Sequence, residues 1–194
     1  MTGTEETEKS RRKKIWKWVI NGLLALVLLT LFIPSWRKEF QSWFTYYSLA
    51  EVEFEKMDAR PLPEDQKNWE LFSANGRMTN FAEFEGKPIV IQFWATWCAY
   101  CKAAFPDLED LSDNFNNEIV FIAATLEPVD VLKTSGYADD YDFLYSTQTY
   151  PEHFQVRVYP TLVILDKEMN VVYTMEGAGD INNEENIEFL EGLL

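Results

Sequence analysis

From Ile15 to Ile33 the chain is apolar apart from Lys17, Asn21 and Thr30. Nineteen helical residues reach about 28 Å, close to the hydrocarbon thickness of a bilayer, so this run predicts an N-terminal transmembrane helix. Trp16 and Trp18 on one side and Trp36 on the other are placed like interface anchors. The run exits through Phe32-Ile33-Pro34-Ser35-Trp36, without the small-x-small pattern of a signal-peptide cleavage site, which points to an uncleaved anchor. Trp36, Phe40, Trp43, Phe44 and Tyr47 then recur at helical spacing. That face suits the headgroup layer or a partner, and equally a continuation of the anchor or packing on the domain. Pro61-Leu62-Pro63 marks a boundary, and the soluble domain is expected to begin near Gln66.

Beyond that boundary the periodicity changes. Trp69 to Phe72 and Arg77 to Thr79 flank Asn75-Gly76 and predict a small hairpin. Pro88 to Trp94 is an apolar run of strand length, followed by a helical pattern from Lys102 to Phe115 that Pro106 should kink. Ile119 to Ala124 is a second apolar run, as expected of a parallel strand covered on both faces. Val129 to Tyr141 reads as a helix with a weak middle at Gly136, Phe143 to Tyr145 as a short strand, and Pro151 to Val156 as a helical turn. Tyr159 to Asp166 and Val171 to Met175 form a closing hairpin, and Asn182 or Asn183 caps a last helix. The alternation predicts an α/β sandwich with parallel and antiparallel strands in one sheet.

The expected organisation is a basic tail over 1–14, the anchor over 15–35, an amphipathic linker over 36–65 and the folded domain over 66–194. The formal charge of −15 is unevenly spread: residues 1–40 carry +4 and the remainder −19. So acidic a domain argues against nucleic acid as its partner. Basic residues flanking the apolar run are concentrated before it, which places the N-terminus in the cytoplasm and the domain on the extracytoplasmic side of the cell membrane.

The candidate chemistry lies where the first long strand gives way to its helix. Cys98 and Cys101 are the chain's two cysteines, so none is left for a separate structural disulfide. A helix N-terminus offers unpaired N–H groups and partial positive charge, which favour the thiolate form of Cys98. Cys101, one turn on, is in reach of a mixed disulfide formed by Cys98. No cofactor is implied. His153 is the only histidine, and two cysteines alone supply half of a zinc site.

Trp94 to Lys102, Pro106 five residues after the second cysteine, and Tyr159-Pro160-Thr161 before an apolar strand together resemble the thioredoxin superfamily. The anchor and the extra segment before Tyr159 are similar to its TlpA/ResA/CcmG branch of extracytoplasmic thiol–disulfide oxidoreductases. The resemblance implies a thioredoxin-like three-layer sandwich with Cys98 attacking, Cys101 resolving and Pro160 in the place of the cis-proline that holds client backbone. It implies an apolar landing surface of Trp97, Tyr100 and Tyr159. Gln92 stands where thioredoxins carry a buried aspartate, and Glu127 is at the place of the branch's glutamate, with deprotonation of Cys101 as its expected role and a solvated carboxylate as the alternative. Ala99-Tyr100 lacks the proline common between the cysteines, so no reduction potential carries across.

The function this implies is reduction of disulfides in exported client proteins, such as apocytochrome c or copper-site cysteines, with electrons from a membrane-bound donor. The alternatives are a disulfide-forming oxidase of the same fold and a copper-delivery protein using Cys98, Cys101 and His153.

Overall fold

The computed structural model describes residues 15–26 and 49–194, in two units. Residues 15–26 are helical, with Trp16, Trp18, Leu23, Leu24 and Leu26 all exposed. Among the described residues no helix is long and apolar enough to cross a membrane. The basic tail, the rest of the expected anchor and the aromatic face from Trp36 to Tyr47 lie outside the described residues.

The second unit is built on one eight-stranded sheet in the order β1-β8-β7-β4-β5-β6-β2-β3. Its strands are β1 (Arg60–Pro61), β2 (Glu70–Ser73), β3 (Met78–Asn80), β4 (Ile89–Phe93), β5 (Val120–Thr125), β6 (Leu144–Ser146), β7 (Thr161–Leu165) and β8 (Asn170–Glu176). β4, β5 and β6 run parallel, and the remaining pairings are antiparallel. The helices are α1 (Glu64–Lys67), α2 (Ala99–Ala103), α3 (Phe105–Asn114), α4 (Val129–Thr134) and α5 (Glu184–Glu191).

The apolar run of β4 alternates beneath its uniform composition. Ile89, Ile91 and Phe93 enter one core and Val90 enters the other, as the pleat requires. One core is covered by helices, through Cys101, Phe105, Leu108, Leu132 and Leu190. The opposite core is closed by Trp69, Phe81, Phe154 and Met169. Phe81 and Phe154 sit on 3-10 turns, so aromatic side chains and short turns, rather than α-helices, make up this third layer.

Local chemistry also sets where the elements stop. The helix expected from Lys102 to Phe115 is two helices meeting at Ala104. Pro106 has no N–H to continue the ladder, and the N–H of Ala104 turns back to the carbonyls of Lys102 and Tyr100 instead. The helix expected to run to Tyr141 stops at Thr134, because Gly136 adopts a φ of +81° that ends it. At the hairpin, Gly76 has a φ of +84°, and Ser73 N–H reaches Arg77 O at 2.9 Å. Asn183 is the cap of α5, accepting from Asn186 N–H.

The sheet takes in chain upstream of Gln66, where the sequence sets the start of the domain. β1 pairs with β8, and Phe54 and Leu62 are buried. Val52 N–H reaches Asp180 O at 3.0 Å, Asp180 N–H reaches Ala50 O at 2.9 Å, and Met57 N–H reaches Val172 O at 2.9 Å. The buried Asn186 side chain closes this strap: it accepts from Phe54 N–H at 2.6 Å and donates to Val52 O at 2.7 Å.

Candidate active site

β4, β5 and β7 bring three loops to one end of the sheet. The first follows β4 and carries Thr96, Trp97 and Cys98 into α2. Cys98 and Cys101 are joined in a disulfide, with Cα atoms 5.4 Å apart. Cys98 caps α2, its Sγ accepting the N–H of Cys101 at 3.1 Å. That donor favours negative charge on Sγ whenever the bond to Cys101 opens. Cys98 is 6 % exposed and Cys101 0 %, so Cys98 is the less buried of the two.

Gln92 is buried beneath the dithiol, and its side-chain N–H donates to Cys101 O at 3.0 Å. A neutral amide at this position ties β4 to α2 by a hydrogen bond and brings no charge. The second loop follows β5. Glu127 accepts from Thr96 N–H at 2.6 Å through one carboxylate oxygen and from the Thr96 hydroxyl at 2.7 Å through the other. The Thr125 hydroxyl donates to the same carboxylate at 3.3 Å, and Ser146 donates to the Glu127 carbonyl at 2.6 Å. The carboxylate thereby holds the strand-to-helix turn two residues ahead of Cys98.

The third loop precedes β7. The Tyr159–Pro160 peptide is cis, the turn is held by Thr161 Oγ1 donating to Val158 O at 2.8 Å, and Pro160 O accepts from Gly177 N–H at 2.8 Å. The Tyr159 ring lies 5.8 Å from that of Trp97, so the residues before the proline and before the first cysteine touch. Trp97 and Tyr100 are largely exposed, as are Leu126 and Val158 on the neighbouring loops.

Of the residues singled out in the sequence, the structure therefore joins Cys98 to Cys101, Trp97 to Tyr159, and Glu127 to the turn before Cys98. His153 lies on a 3-10 turn, its ring 3.3 Å from Arg60 O. No group of three His, Cys, Asp or Glu side chains among the described residues is arranged to hold a metal. Thr96, Thr125 and Tyr150 carry hydrogen bonds of this site that sequence reasoning missed. Threonines and a loop tyrosine have no periodic or spacing signature to mark them.

A hollow of about 510 Å³ lies elsewhere, with Glu109, Asp113, Asp139, Asp140 and Asp142 among its lining. Burial, then the charges of Asp113, Asp110, Asp140 and Asp142, raise the Glu109 carboxyl above its ordinary value.

The family model described as Redoxin matches residues 58–189. The Thioredoxin-like protein YneN of Bacillus subtilis is 23 % identical over 158 residues, covering 78 % of this chain and 85 % of that protein. The Thiol-disulfide oxidoreductase ResA of Bacillus cereus is 21 % identical over 136 residues, covering 68 % and 79 %. A thiol:disulfide interchange protein of the thioredoxin family from Chlorobium tepidum has a similar structure, with a TM-score of 0.55 at 21 % identity over 71 % of this chain and 99 % of that one. At that identity the structural likeness speaks for the fold, which is thioredoxin-like.

Proposed function

The chain belongs to the Redoxin family, as a TlpA/ResA/CcmG-like member of the thioredoxin superfamily, and from that membership we propose that it reduces disulfides of exported client proteins beyond the cytoplasmic membrane. It is a thiol–disulfide oxidoreductase. The observation that carries the direction of attack is the asymmetry of the two sulfurs: Cys98 caps α2 and is the one partly open to solvent, while Cys101 is sealed.

In the reduced protein, the Cys98 thiolate attacks one sulfur of the client disulfide. The client's other sulfur leaves as a thiolate and takes up a proton. Cys101 then loses its proton and attacks Cys98 Sγ, forming the intramolecular disulfide and releasing the second client thiol. Two electrons pass to the client, and a membrane-bound donor must return two to the protein. Glu127 is assigned as the base for Cys101, acting from its seat on Thr96. Trp97, Tyr100, Tyr159 and Pro160 receive the client chain.

The anchoring part of this reading is supported by the run of exposed apolar residues over 15–26 and by the basic residues before it. Apocytochrome c before haem attachment and copper-site cysteines are the clients we favour.

The test is sulfur by sulfur. Cys98→Ser abolishes reduction of a client disulfide, whereas Cys101→Ser accumulates a covalent client adduct that gel electrophoresis without reductant displays. Normal turnover by Cys98→Ser overturns the reading. The reduction potential and the state of the dithiol in living cells separate a reductase from a disulfide-forming oxidase: a reductase is found mostly as the dithiol.

A further inference from the structure

Tyr150 lies between β6 and the 3-10 turn at Glu152–Phe154, in a loop held by Trp69, whose indole N–H reaches Thr147 Oγ1 at 2.7 Å and Thr149 O at 2.8 Å. Its ring packs edge-on against Phe93 at 4.7 Å. The Tyr150 hydroxyl donates to Ala124 O at 3.3 Å. With that proton committed, its oxygen is left to accept from the Tyr159 hydroxyl, 3.1 Å away. The two rings meet at 6.4 Å and 89°. Burial first, and the Tyr159 contact second, push the Tyr150 phenol far above its ordinary value, so it stays protonated as this arrangement requires.

Tyr159 also meets Trp97, whose ring is 5.8 Å away and which is 73 % exposed. An indole so open to water gains its fixed position from the ring it rests on. The chain of contact thus runs from the end of β5, through the Tyr150 hydroxyl, to the Tyr159 ring, to Trp97 and so to the residue next to Cys98.

We propose that Tyr150 is a positioning residue for client binding: its hydroxyl fixes Tyr159, and through it Trp97, as a preformed apolar face that receives an apolar side chain adjacent to the client's disulfide. Rings held in place before binding have less freedom to lose when the client docks. This inference rests on the reading of Cys98 as the attacking sulfur.

The test is single-turnover reduction of a disulfide-bridged peptide, with phenylalanine beside its cysteine, by the pre-reduced full-length protein. Half-saturating concentration and maximal rate are read separately. Tyr150→Phe keeps the ring, and Ala124 O keeps the N–H of Trp94 at 3.0 Å, so folding is preserved. Tyr150→Phe and Tyr159→Phe are each expected to raise the half-saturating concentration about fivefold, the worth of one hydrogen bond. Maximal rate and reduction potential stay the same, and the double variant is no worse than either single one.

An unchanged half-saturating concentration in Tyr150→Phe overturns the positioning role while normal wild-type turnover leaves the dithiol reading intact. Effects that multiply in the double variant, or a shift in potential, overturn it too. Failure of the wild type to reduce the peptide overturns both.

Discussion

Glu127 grips Thr96 twice, at the backbone N–H (2.6 Å) and at the hydroxyl (2.7 Å), using both oxygens of one carboxylate. Charge-assisted bonds of this kind are about twice as strong as neutral ones. Glu127→Gln removes the charge and sets an amide N–H₂ against a donor. It is expected to lower stability by about 1–3 kcal/mol, measured by urea unfolding. If Glu127 also takes the Cys101 proton, the same variant moves the pH midpoint of thiol reactivity upward. Lost stability with an unmoved midpoint assigns Glu127 to bracing alone.

Trp97 offers the opposite separation. At 73 % exposure it contributes little to folding, and Trp97→Ala is expected to change stability by no more than about 0.5 kcal/mol. Weaker client binding in that variant, at an unaltered urea midpoint, is the expected pair of results. A large loss of stability would remove the landing-surface role.

Glu109 gives a pH prediction. Its carboxyl is raised, by burial and then by surrounding aspartates, so the folded protein holds that proton more tightly than the unfolded chain does. Stability from this group is therefore present at low pH and lost as pH rises from the unfolded value, about 4.3, through the folded one. Glu109→Gln is expected to raise Tm at pH 7, with the gain vanishing below about pH 4. Added salt should produce part of the same gain in the wild type by screening the aspartates. An equal shift at all pH values contradicts the assignment.

Asn186 is fully buried and saturated by Phe54, Val52 and Ile181. Asn186→Ala takes the side-chain partner from Phe54 N–H and Ile181 O, while Val52 O keeps Asn183, and is expected to cost about 3 kcal/mol. Hydrogen exchange should report the loss first at residues 50–57. Uniform loosening of the sheet instead would show that the strap is not separately held.

Removing residues 1–35 tests the anchor. The full chain is expected in the membrane fraction and the truncated one in the soluble fraction, with unchanged reduction of a test disulfide. Full-length protein in the soluble fraction would overturn membrane attachment.

What the sequence disclosed follows from what is periodic. β4, β5 and β7 were legible because strands buried on both faces are apolar without interruption. Asn75-Gly76 marked its hairpin, and two cysteines a turn apart marked the reactive centre. Helix ends were less legible, since Ala104 and Gly136 terminate helices through backbone geometry that apolar spacing does not encode. The strap at residues 50–57 was hidden because main-chain bonds and the side chains of Asn183 and Asn186 hold it. Thr96 acts through its N–H and hydroxyl and Tyr150 through its hydroxyl, and nothing in a linear pattern distinguishes those groups from others of their kind.

The strap also sets a length. Glu51 already bridges to Asp180, so the folded domain takes in fifteen residues ahead of Gln66. A version cut at Gln66 would lack β1 and the buried Phe54 and Leu62, and would strip Asp180 and Val172 of their main-chain partners. Such a trimmed domain would melt earlier while keeping both sulfurs, so its performance would misrepresent the intact protein.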